Sequence, residues 1–391
     1  MSCNGENAGF TRPTRAARSW RLKLVLSVLA TVLVLGGVLY QFSKSFQHRV
    51  SGFICAGDQF LPRQEIARDV FVLPHSAGYD GQFYYYLAKH PLGRPGELKY
   101  LDIPAYRYQR IGYPLLARLL AFGSVSAIPS TLLLINILGI VSSVILFSIW
   151  LKERNIDPLY ASLFALSGAL LYPLLRDLSE ISAAAFTIGA LLAYSRRRFW
   201  LGGALLGYAM LCREVIFGTA LVLAFDWLFL QKQKRSWVTP LFAACMMFGW
   251  HLFVYLHTNA KTYPFHSNFA VPGVAMIRHM QELFVLRAHA RLSERMVLAT
   301  SLLIIVASVT TAVWEFARSR QALSLGLLGY ALMPVLQGPW VWVEPWGYVR
   351  MLVPSLTMLM ACFARSGSRW YLVALGLHAL LFVVSLAWLF P

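Results

Sequence analysis

Long apolar runs cut by short basic clusters set the pattern of this chain. The runs fall at roughly 22–42, 127–151, 158–175, 181–195, 199–212, 215–230, 238–257, 297–316, 322–337, 350–364 and 370–390, and each predicts an apolar helix. A perpendicular crossing of the hydrocarbon core needs about 20 residues. Several runs are shorter, and 199–230 reads as one helix or two. The pattern predicts an all-α membrane protein, a polytopic helical bundle of about eleven transmembrane helices. The alternating segments of a membrane β-barrel are missing from the sequence.

Composition strengthens this reading. The 391 residues are 58% hydrophobic and 13% charged, with mean hydropathy +0.58, whereas a soluble domain carries about 25% charged residues. The net charge of +18 would suit a nucleic-acid partner, but its distribution points to the lipid bilayer instead. Lys152 and Arg154, Arg196 to Arg198, Lys232, Lys234 and Arg235, Arg318 and Arg320, and Arg365 and Arg369 sit between apolar runs. Eleven alternating crossings from a cytoplasmic start put all these clusters on the cytoplasmic side, as the positive-inside rule requires. The expected location is the inner (plasma) membrane, with the N-terminus cytoplasmic and the C-terminus extracytoplasmic. Arg12, Arg15, Arg18, Arg21 and Lys23 precede the first run with no small-residue cleavage site after it, so it reads as a retained anchor. Residues 1–21 then form a basic cytoplasmic tail and 22–391 a single transmembrane domain. Cys3, Cys55, Cys212, Cys245 and Cys362 are scattered, which predicts neither a disulfide framework nor a CxxC metal site.

The same topology sends two long segments outside, 43–126 and 258–296, together with the turns 176–180, 212–215 and 338–349. Tyr113 to Phe122 reads as an amphipathic interfacial helix. The second loop carries Tyr263, Pro264, Phe265 and His266, then Arg278, Arg287, Arg291 and Arg295. The last three have helical spacing, which predicts a basic amphipathic helix for membrane anchoring or acceptor binding.

Candidate chemistry gathers in these outer segments. In Gly78-Tyr79-Asp80-Gly81-Gln82-Phe83-Tyr84-Tyr85-Tyr86-Leu87-Ala88, Asp80 is either a helix N-cap or a general base beside aromatic rings. Arg107 and Arg110, three apart, share one side of a helical turn. These two, Arg213 and Arg350 suit a phosphate. Their alternatives are headgroup contact or internal pairs, Arg213 with Glu214 and Arg350 with Glu344. Asp177 and Glu180, one turn apart, cap a helix or bind an acceptor. Trp340, Trp342 and Trp346 form an aromatic belt or hold a sugar or prenyl chain. His251 and His257 are six apart and His279 and His289 ten apart, so no metal-ligand spacing arises.

The run GYDGQFYYYLA after one N-terminal span, followed by Arg107-x-x-Arg110-x-x-Tyr113-Pro114, resembles the first-loop signature of the GT-C superfamily of polytopic glycosyltransferases. The likeness covers the general layout, with its motifs between about 75 and 115. It implies an inverting transfer of a sugar from a polyprenyl-phosphate donor to an extracytoplasmic glycan, lipid or protein, with Asp80 as general base. Arg107, Arg110, Arg213, Glu214, Tyr348 and Arg350 would bind the substrate; Tyr79, Gln82, Tyr84, Asp177 and Glu180 would meet the acceptor. No DxD lies near Asp80, which favours a reaction without metal or other cofactor, although Asp58 and Asp102 leave a divalent cation open. The alternatives are a transporter or lipid flippase, a membrane acyltransferase or phosphotransferase, and a non-enzymatic assembly factor.

Overall fold

Backbone polar groups in hydrocarbon find partners only within a helix or a closed barrel, and the apolar runs of this chain fold as helices. The computed structural model describes residues 15–60, 70–92, 100–231, 233–258, 269–287 and 291–390. Tyr263 to His266, His289, Lys232, Cys3 and Arg12 lie outside the described residues. The order begins with α1 (Arg15–Ser43), two short paired strands, β1 (Ala56–Gly57) and β2 (Val72–Leu73), then α2 (Asp80–Lys89), α3 (Pro104–Tyr108) and α4 (Gly112–Leu120). It continues through α5 (Ile128–Glu153), α6 (Ser162–Ala165), α7 (Gly168–Leu175), α8 (Glu180–Ser195), α9 (Phe199–Cys212) and α10 (Phe217–Phe225). The rest is α11 (Val238–Thr258), α12 (Val274–Gln281), α13 (Leu292–Ser319), α14 (Ala322–Leu332), α15 (Pro339–Trp342), α16 (Pro345–Tyr348), α17 (Val353–Ser366) and α18 (Trp370–Leu389).

This is an all-α membrane protein. Among the described residues, 6 helices are long and apolar enough to cross a bilayer, and a bent pair raises the number to 7. All eleven predicted segments are helical, but 181–195, 199–212, 215–230 and 322–337 form helices too short to cross on length alone. The predicted single helix 158–175 is broken by a 50° bend. Ser167 there is extended and its hydroxyl accepts from the Ala169 N–H, while Gly168 lies so close to Leu381 that a Cβ would come within 2.6 Å of it. The 199–230 stretch is two helices, because Arg213 is extended (φ −151°, ψ 114°) and a 3-10 turn, Glu214–Ile216, follows it.

α9 packs between α8 and α11, α13 lies against α14 and α18, and α17 fills the centre, with 94% of its apolar window buried. The turns bearing the basic clusters meet at one end. Arg196 pairs there with Glu153, Lys23 with Asp157, and Lys152 sits 4.2 Å over the Trp20 ring.

The first loop folds onto the other end. β1 and β2 run parallel, pairing Ala56 with Val72 and Gly57 with Leu73. The sequence predicts an aromatic face on α2, but Phe83, Tyr84, Tyr85 and Tyr86 are buried all round because α3, α4 and α5 enclose the helix. α4 is amphipathic as predicted: Tyr113 and Ala117 are buried, while Phe122, just past its end, is 94% exposed. The predicted basic helix through Arg287, Arg291 and Arg295 is not one element. Arg287 and Arg291 lie outside helices, and Arg295, inside α13, donates to the carbonyls of Leu283 and Arg287.

Candidate functional site

Five separate segments bring charge to the end of the bundle where the first loop packs. Asp80 opens α2, Arg107 and Arg110 lie on and just after α3, Glu180 opens α8, and Arg213 and Glu214 occupy the α9–α10 turn. Arg350 stands just before α17. Asp80 holds two guanidiniums at once: Arg107 Nη1 lies 2.9 Å from Oδ1 and Arg350 Nη1 2.7 Å from Oδ2. Arg107 is itself fixed by Asp102, which takes its Nε at 2.7 Å and its Nη2 at 2.6 Å. Arg110 forks onto Glu214 at 2.8 and 2.6 Å and also donates to the Tyr106 hydroxyl. Glu180 Oε1 stands 3.3 Å from Arg213 Nη2 and 3.8 Å from Arg350 Nη1.

These contacts show how the charges pair in the folded chain. Asp80 is not an N-cap: Tyr79 holds that position, and the carboxylate is turned to the arginines. The predicted internal pairs are exchanged as well. Arg213 meets Glu180 while Glu214 takes Arg110, and Arg350 meets Asp80 rather than Glu344. Tyr79 stays at the site, its ring 5.2 Å from the Arg350 guanidinium.

Other predicted site residues serve packing. Gln82 spends its side-chain amide on the backbone, accepting from Gly57 N–H and donating to the Ala77 carbonyl, which fastens β1 to α2. Tyr84, fully buried, shares a hydrogen bond with Ser179. Both polar groups are committed within the protein. Asp177 does not join Glu180; it is buried in a left-handed turn (φ 47°) with no hydrogen-bond donor on either oxygen. Tyr348 stacks on Trp342 at 5.3 Å, with its hydroxyl buried and unpartnered. Asp58 accepts from the His75 and Ser76 N–H groups, so it and Asp102 are both committed within the protein. Among the described residues no group of three or more His, Cys, Asp or Glu is placed to hold a metal ion.

The chain matches no family model, no curated protein and no solved structure.

Four arginines (107, 110, 213 and 350) and four carboxylates (80, 102, 180 and 214) make a balanced cluster. Burial alone would raise the Asp80 carboxyl, but Arg107, Arg350 and Arg110 outweigh it and hold it well below the usual carboxylate range. Burial also opposes ionisation of Glu214, and Arg110 overcomes it, bringing that carboxyl down to about 2. The donors are not all used. Arg110 Nη1, Arg213 Nη1 and Arg350 Nε are buried without a hydrogen-bond acceptor. Arg110 and Arg213 also press on each other as like charges. Buried guanidinium N–H groups without acceptors are costly, and an anion reaching them would supply an acceptor.

Two further residues complete the cluster: Asp102, which the sequence suggested only for a cation, clamps Arg107, and Tyr106, which the sequence did not single out, partners Arg110. Tyr106 and Arg110 are four apart, a helical spacing visible in the sequence. The Arg176 guanidinium, 2.8 Å from the Cys55 sulfur and 4.1 Å over Trp346, ties the first loop to α16 and carried no such signal.

Proposed function

We propose that the protein is a GT-C-like glycosyltransferase of the inner membrane, with about eleven crossings and its charged end facing outward. It would move a sugar from a polyprenyl-phosphate donor to an extracytoplasmic acceptor. The observation that carries the reading is a carboxylate at the mouth of the bundle, Asp80, set among arginines of which Arg110 and Arg213 keep uncovered N–H groups. The donor phosphodiester bridges those two arginines. Its prenyl chain lies in the apolar cleft of about 600 Å³ between α4, α5, α8 and α9, lined by Leu116, Leu138, Gly139, Phe186 and Leu205. The acceptor hydroxyl gives its proton to Asp80 as its oxygen bonds to the anomeric carbon. The anomeric carbon–oxygen bond breaks on the far side, its electron pair stays on the phosphate, and polyprenyl phosphate leaves with inversion at the sugar. The proton on Asp80 then passes to solvent.

The test uses the purified full-length chain in lipid nanodiscs with a panel of polyprenyl-phosphate sugars and envelope acceptors. Wild type transfers sugar, and Asp80→Asn loses on the order of 100-fold or more in rate. Turnover like wild type in Asp80→Asn contradicts the mechanism.

One observation favours a transporter or lipid flippase as a second reading. His378 of α18 is fully buried and bonds Ser167 at the break between α6 and α7, and broken helices with intramembrane ionisable groups mark transport paths. Lipid-linked sugar flux in proteoliposomes that is lost in His378→Ala and kept in Asp80→Asn would favour it.

A further inference from the structure

We propose that Glu180 is a positioning residue that draws Arg350 off Asp80 when an anion occupies Arg213, so that the donor itself releases the base. This rests on the donor reading above and deepens it. As folded, Asp80 is a poor proton acceptor, because each of its oxygens faces a guanidinium. The two holders differ. Arg107 is locked by the fork from Asp102, so its grip on Oδ1 is fixed. Arg350 has an alternative: its Nη1 lies 2.7 Å from Asp80 Oδ2 and 3.8 Å from Glu180 Oε1.

Glu180 is the least satisfied carboxylate of the cluster. Its side chain is 2% exposed, neither oxygen makes a hydrogen bond, and its ionic contacts with Arg213 and Arg350 are loose, at 3.3 and 3.8 Å. A phosphate arriving at Arg213 takes the attraction that steadies Glu180 and repels it as a like charge. The partner left to Glu180 is Arg350, and a buried carboxylate without a partner is strongly disfavoured. A displacement on the order of 1 Å closes that pair and uncovers Asp80 Oδ2. Oδ1 stays on Arg107, so the base is released without losing its orientation. Binding is thereby ordered, with donor before acceptor, and an acceptor alone meets a neutralised carboxylate.

Charged and titratable groups face Asp80 from every side: Arg107, Arg110 and Tyr106 from α3 and its end, Arg350 ahead of α17, Tyr79 beside it, and Glu180 on α8. Glu344, ahead of α16, acts on Arg350 and Tyr79. Of these, Arg350 has two carboxylate partners within 4 Å, Asp80 and Glu180.

The decisive experiment is a structure of the full-length chain in nanodiscs with undecaprenyl phosphate. The proposal predicts phosphate on Arg213, the Arg350 guanidinium on Glu180, and Asp80 Oδ2 free. Phosphate on Arg213 with Arg350 still on Asp80 overturns the exchange and leaves the donor reading standing. No phosphate at Arg213 overturns the donor reading and the exchange with it. Kinetics supply the second test. In Glu180→Gln, Arg350 has no charged alternative and stays on Asp80, so kcat falls about tenfold and its acid limb moves to lower pH. Glu180→Asp, which keeps the charge, recovers part of both. A fall in kcat with the acid limb unmoved marks Glu180 as merely structural and refutes the proposal.

Discussion

Arg196 with Glu153 and Arg110 with Glu214 are the same kind of ion pair in different surroundings. The first lies at the end that gathers the basic turns, with side chains 39% and 40% exposed; the second lies at the charged end, with Arg110 1% and Glu214 27% exposed. An exposed pair contributes under about 1 kcal/mol, because water and salt screen it. A buried pair gains little net stability either, yet losing one partner strands a charge out of water. The exposed pairs (Arg196–Glu153 and Lys23–Asp157) join neighbouring helix ends one to one. The buried cluster shares its partners, Asp80 between two arginines and Glu180 between two, and leaves guanidinium N–H groups open. Stability alone would favour fewer buried charges. Their gathering at one end fits the anionic ligand proposed above.

The largest effect that would sharpen this contrast is in Arg110→Ala. It removes the closest partner of Glu214, which keeps only the Arg213 charge nearby, and should cost on the order of 2–3 kcal/mol, read as a large fall in the thermal midpoint in detergent. The pair also sets a pH dependence. With its carboxyl depressed from 4.5 to about 2, Glu214 contributes stability above pH 4.5 that is lost as pH falls toward about 2. Arg110→Ala should flatten that fall between pH 5 and about 3, and a slope like that of wild type would break the assignment. Asp177 should behave in the opposite sense. Burial raises its carboxyl well above the usual range, so its stability is greatest at low pH and declines as pH rises. Asp177→Asn should therefore match wild type near pH 4 and gain on the order of 1 kcal/mol by pH 8, checked by thermal midpoints at both. Smallest of all is Lys23→Ala, which breaks the other exposed pair, with a change under about 1 kcal/mol and transfer activity unaltered. A loss as large as that in Arg110→Ala would erase the contrast between the two ends.

Much of this was legible in the chain. Apolar runs gave every long helix, because in hydrocarbon continuous apolar sequence has few other structures open to it. The basic turns predicted a shared end, and Lys152, Arg196 and Lys23 meet there. Asp80, Arg107, Arg110, Arg213, Glu214 and Arg350 were each visible as charges in turns at the other end. Their pairing was not. Asp80 and Arg350 are 270 residues apart, and which of several arginines meets which carboxylate depends on how helices pack. The same limit hid the roles of Gln82 and Tyr84, whose neighbours in sequence suggest a ligand while their neighbours in space are Gly57, Ala77 and Ser179. The bend at Ser167 left a trace, since Ser-Gly is a breaking pair, but the close approach of Leu381 that requires the glycine comes from another helix.

The central claim is that the uncovered arginines at the charged end form a lipid-phosphate site. The most direct test is binding of undecaprenyl phosphate to the full-length chain in nanodiscs, compared across wild type, Arg213→Gln and Lys23→Gln. The account predicts saturable binding, weakened at least about tenfold in Arg213→Gln and unchanged in Lys23→Gln. Equal affinity in all three, or a greater loss in Lys23→Gln, would contradict it.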